Sequence, residues 1–146
     1  MLKIGGSSLK YIAVAAVIVG VGVWALQPKA PTDSASEQTV NVKVPALSAQ
    51  AADGKEAFDA NCAACHGRNA AGTKNGPTLV HDIYNPGHHS DDAFLFAVMQ
   101  GVPQHHWPYG DMPPQPQVTA QQLAAIVRYV RELQIVNGIR YHPHQM

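Results

Sequence analysis

The sequence predicts an all-α domain carried behind an N-terminal apolar helix and a linker. Three observations lead to that class. Apolar residues after position 48 recur at helical rather than strand spacing, helix-capping residues stand where those segments begin, and glycine and proline collect between them. At 146 residues the chain suits one small domain with appendages rather than two domains.

The first element is an apolar run. Lys3 and Lys10 precede residues 11–26, sixteen positions without a charge. As a helix they span about 24 Å against a hydrocarbon core of roughly 30 Å. Snorkelling of Lys10 and an interfacial Trp24 make up the difference. A cleaved signal would place small residues directly after the run, but Gln27-Pro28-Lys29 follows, and Ala49-Gln50-Ala51 is far downstream. No cysteine is near enough to the run for a lipid anchor. Residues 1–26 are therefore expected to be a retained signal anchor, a single transmembrane helix. Its basic flank puts the N-terminus in the cytoplasm and the rest of the chain on the outer, periplasmic side of the inner membrane.

Residues 27–50 hold Pro28, Pro31 and Pro45 among Ser, Thr, Ala and Gln and read as a flexible linker. Val40, Val42 and Val44 alternate with polar residues, yet a lone strand has no partner, so an extended tether is expected.

The domain itself is placed at residues 51–138, followed by a tail at 139–146. Its first helix runs from near Ser48 to about Asn61, with Gly54 and Phe58 on one face. Residues 67–89 are broken by Gly67, Gly72, Gly76, Pro77, Pro86 and Gly87 into a long loop, of a length that is usually functional. Ser90 as N-cap, Asp91 and Asp92 in the first turn, and Gly101 as a stop mark a second helix. Its apolar face is Phe94, Leu95, Val98 and Met99, so Met99 is expected in the core. Five prolines between Val102 and Gln117 make that stretch a stiff extended loop. The last helix opens on a capping box, Thr119 with Gln122, and carries Leu123, Ile126, Val127, Val130 and Leu133 opposite Gln121, Arg128, Arg131 and Glu132. Asn137-Gly138 ends it.

The chemistry of the chain centres on Cys62-Ala63-Ala64-Cys65-His66, a C-x-x-C-H motif of the kind that attaches haem covalently through two thioethers and presents the adjacent imidazole to the iron. A redox-active C-x-x-C would need a βαβ setting, and structural zinc a second ligand pair, which two cysteines cannot supply. A plain disulfide between Cys62 and Cys65 is the remaining alternative. A buried porphyrin would also supply apolar surface that this small core lacks.

With His66 on one face of the iron, the second axial position needs a ligand if the centre is to transfer electrons. Met112 is the best candidate, because Pro113 and Pro114 stiffen the backbone that holds it and a thioether raises the potential. The pairs His88-His89 and His105-His106 are competing distal ligands. With His81, His142 and His144 they are numerous for so small a domain, and His142, His144 and Met146 form a tail of soft-metal ligands. A copper or zinc site would need three or four of them to converge.

Taken in order, Cys62, Cys65 and His66, the Asn75-Gly76-Pro77 turn, Met112-Pro113 and a terminal helix carrying Tyr129 make residues 50–138 resemble the class I c-type cytochromes. That resemblance implies three to four helices around one covalently bound haem c. It implies too that the Pro77 carbonyl accepts the His66 Nδ1–H, and that Gly54 and Phe58 cross the last helix near Tyr129. Trp107 and Tyr109 would then either donate to a haem propionate or simply fill the core.

The function expected is that of a membrane-tethered mono-haem electron carrier, not an enzyme. It would take electrons from a dehydrogenase or a quinol-oxidising complex and deliver them to an oxidase or reductase, with no small-molecule substrate. A dedicated haem subunit of a dehydrogenase or oxidase complex is the alternative, and a sensor or peroxidase-like protein with a displaceable Met112 is a third. Nucleic acid is not expected as a partner, since beyond residue 30 seven basic residues face ten acidic ones.

Overall fold

The computed structural model describes residues 40–143. The apolar run 11–26, most of the linker and residues 144–146 lie outside the described residues. No helix among the described residues is long and apolar enough to cross a membrane. The described part is all-α, with helices α1 (Ala49–Asn61), α2 (Ala63–His66), α3 (Asp91–Gln100) and α4 (Ala120–Val136) and 3₁₀ turns at Arg68–Ala70 and Asp82–Tyr84.

The first and last helices form the frame. Ser48 caps α1 by accepting from the Ala51 amide, and its own N–H and Oγ–H donate to the Glu132 carboxylate of α4 at 3.1 and 2.8 Å. Burial alone would raise the Glu132 carboxyl, but the hydrogen bonds from Ser48 and Arg128 outweigh it and hold the group below its ordinary value. At the crossing Gly54 lies directly on the α4 backbone, where an added Cβ would sit 1.9 Å from the Ala125 carbonyl oxygen. Closing the helices to that distance brings the fully buried Phe58 and Tyr129 rings edge to face, 5.6 Å apart. Ala51, Ala70, Ile126, Val130 and Leu133 complete the core around them.

α4 begins with its capping box formed on both sides and buries the apolar face that its spacing predicts. Arg131 departs from the sequence reading, which puts it on the polar face. Its side chain is only 12% exposed, pairs with Asp91 at 2.8 Å, lies 4.9 Å over the Phe94 ring and donates to the Tyr84 and His89 carbonyls. The neighbouring Gln134, 1% exposed, donates to the Leu79 and Tyr84 carbonyls. A loop without ladder partners must have its buried carbonyls bonded by side chains, and these two do so.

Met99 also departs from expectation. α3 rests on α4 through a narrow seam centred on Phe94 and Val98, and Met99, about 100° around the helix from Val98, is 63% exposed. The long loop 67–89 is more regular than its glycines and prolines suggest, since it contains the two 3₁₀ turns. Residues 40–47 form no strand. They lie extended against the domain, with Asn137 bonded to both the N–H and the C=O of Lys43, and with Val42 and Leu47 packed on the core.

Candidate functional site

Cys62 separates α1 from α2. Its backbone (φ −118°, ψ −31°) still donates to the Phe58 carbonyl but turns the chain, so the motif forms its own single helical turn, Ala63–His66, which sequence spacing does not reveal. Cys62 is half-buried, and burial together with the neighbouring Cys65 pushes its thiol up to about 11, so it remains protonated at neutral pH. Cys65 is exposed.

His66 Nδ1 lies 2.9 Å from the Pro77 carbonyl oxygen. A carbonyl only accepts, so Nδ1 carries the proton and Nε2 keeps its lone pair for a metal. Burial holds the imidazole below its ordinary value, outweighing the opposing effect of the Pro77 bond, so the ring is neutral. The Pro77 carbonyl is fixed by a closely bonded loop. The Gly72 amide donates to the His66 carbonyl at 2.7 Å, Thr73 Oγ1 to the Cys65 carbonyl at 2.7 Å, and the Leu79 amide to the Ala70 carbonyl at 2.9 Å. Gly76 is needed for the fit, since a Cβ there would stand 2.9 Å from the Cys65 oxygen.

These elements wall a cavity of about 480 Å³, within the range of small-molecule and cofactor sites. Cys62 and His66 line it together with Phe94 and Val98 of α3, Ile126 of α4, and Trp107, Tyr109 and Met112 of the following loop. Cys65 is not part of the lining. Met112 is held on both sides of its backbone by Val102, each hydrogen bond 2.9 Å, and packs against Val98, Leu123 and Val127. Pro113 and Pro114 follow it at once. The Trp107 indole donates to the Tyr84 hydroxyl at 3.0 Å, so its hydrogen-bonding capacity is met within the protein, while Tyr109 stands at the exposed rim.

The cytochrome c family model matches residues 51–134, from α1 through nearly all of α4. The chain belongs to the cytochrome c family. No curated protein and no solved structure matches it. A cytochrome c binds one covalently attached haem c, transfers electrons through it, and has redox proteins as its partners. The residues suit that group by their chemistry: Cys62 in the cavity wall with Cys65 three positions on and exposed beside it, a neutral imidazole whose Nε2 keeps its lone pair, a thioether, and walls made largely of apolar side chains.

Several residues of this cytochrome c site escape sequence reasoning. Leu79 and Tyr84, from the loop 67–89, and Gln104, from the loop after α3, line the cavity where no periodicity marks an inward face, and His89, a competing distal ligand by sequence, lines it as well. The only signal available was an isolated aromatic, Tyr84, in a polar stretch.

Proposed function

We propose that this cytochrome c is a membrane-tethered mono-haem electron carrier with His66 and Met112 as axial ligands and Cys62 and Cys65 as thioether donors. The observation that carries this reading is that His66 and Met112, 46 positions apart in sequence, line the same cavity from two rigid pieces of backbone. When bound, haem supplies an iron that cycles between ferric and ferrous states. His66 is oriented by Pro77, so its ring is set before any ligand arrives and keeps one position in both states. Met112 is pinned by Val102 and the two prolines, which favours a closed, six-coordinate centre over one that opens to small ligands. Phe94, Val98, Leu123 and Ile126 give the site apolar walls.

Residues 1–26 would anchor the chain in the inner membrane with the haem domain in the periplasm. Tethering raises the local concentration of carrier beside membrane-bound donor and acceptor complexes, so weak docking suffices.

The test is voltammetry of the full chain extracted from membranes, with its N-terminal residues determined. A reversible one-electron wave, on a protein that retains residues 1–26 and oxidises and reduces without binding carbon monoxide, is the expected result. Rapid carbon monoxide binding would point to an open site, and a mature N-terminus beyond Leu26 would remove the anchor.

A further inference from the structure

The loop histidines converge at the edge of the haem cavity, whose lining includes His89 and His106. One ring nitrogen each of His88, His89 and His106 lies within 4.8 Å of the others, and none of the three is fully buried. His88 Nε2 and His106 Nε2 are 3.4 Å apart. Two nitrogens bound to one metal at tetrahedral zinc distances stand about 3.3–3.4 Å apart, so this pair already has the spacing of one coordination edge. The third member is oriented in the way a ligand histidine is. His89 donates Nδ1–H to the Ile83 carbonyl at 2.8 Å, which fixes its ring and leaves Nε2 as the lone pair. His105 is not part of the cluster. Its Nδ1 bonds the Pro103 carbonyl at 2.9 Å, and its ring packs 4.2 Å from that of His106.

We infer that His88, His89 and His106 form a second metal site, for a borderline divalent transition metal of the zinc and copper class, with solvent water in the remaining position. Three imidazoles and no carboxylate or thiolate among the ligands suit that class over magnesium or calcium. The site joins two loops that are otherwise separate in sequence. His88 and His89 end the loop that carries Tyr84, and His106 lies in the loop that leads through Trp107 and Tyr109 to Met112. A metal there would cross-link two walls of the haem cavity, and so steady the segment that holds Met112.

The experiment is a zinc(II) titration of the full-length, haem-loaded, chelator-stripped protein carrying no polyhistidine tag, followed by calorimetry and by the haem absorption spectrum. One zinc per chain is expected, with a higher melting temperature and an unchanged haem spectrum. Affinity should fall roughly tenfold or more in His106→Gln and in His89→Gln. It should hold in His142→Gln, whose imidazole instead faces Asp82 at 3.7 Å. Zinc binding by His88→Gln/His106→Gln equal to that of the parent would overturn the site. So would a titration that changes the haem spectrum, which would make these histidines ligands of the iron instead.

Discussion

Gly54→Ala is expected to destabilise the haem-loaded domain by about 3–5 kcal/mol, at or above the upper end of overpacking substitutions and a large share of the roughly 5–15 kcal/mol of a typical domain. The added methyl has nowhere to go. It would stand 1.9 Å from the Ala125 carbonyl oxygen, and that neighbour is helix backbone, not a side chain that can rotate aside. α1 and α4 would have to separate, and the Phe58–Tyr129 contact and the Ser48–Glu132 hydrogen bonds would loosen together. Denaturant unfolding followed by circular dichroism measures this. The equivalent change at Gly138, where an added Cβ meets nothing within 4 Å but the backbone has φ +87°, should cost only about 1 kcal/mol. Equal stability of Gly54→Ala and the parent would mean that the two helices do not cross where they are described to.

The second large effect concerns retention of the cofactor. In the parent chain, haem should stay with the polypeptide through boiling in detergent and appear as a haem-stained band on a denaturing gel. Cys62→Ala/Cys65→Ala should lose that band entirely, because without thioethers only axial bonds hold the group and unfolding releases them. Each single variant keeps one thioether and should retain a weaker band. The placement of the two cysteines bears on the order of loss. Cys62 lines the cavity, whereas Cys65 is exposed and its backbone is bonded into the Thr73 and Gly76 turn. A band of unchanged strength in the double variant would show that attachment uses other residues.

Much of the frame was legible because it is local. Side-chain caps at Ser48 and Thr119, the N-cap position of Ser90, whose side chain makes no capping bond, and stops at Gly101 and Asn137 are decided within a few residues, so the bounds of α1, α3 and α4 follow from sequence. The C-x-x-C-H motif is likewise local. What sequence could not supply was which side of an element faces in when the partner is a loop. Arg131 reads as a polar-face residue, and nothing in the sequence marks Gln134 as buried, until the carbonyls of Leu79, Tyr84 and His89 are placed beside them. Met99 reads as core until the narrow contact between α3 and α4 leaves it in solvent. Trp107 reads from sequence as a propionate donor or a packing residue, and its indole bonds Tyr84, a residue 23 positions away in the 67–89 loop. The convergence of His88, His89 and His106 is of the same kind, since two loops must meet before it exists.

The central claim, that Met112 completes the iron's coordination opposite His66, is tested most directly by the near-infrared spectrum of the oxidised protein. The parent should show the weak charge-transfer band of sulfur–iron ligation. Met99→Ala, which alters an exposed residue outside the cavity lining, should keep it. Met112→Ala should lose it and lower the reduction potential by on the order of 0.1 V, a fraction of the roughly 0.8 V range that axial ligands set. A band that survives in Met112→Ala, or disappears in Met99→Ala, would contradict the assignment.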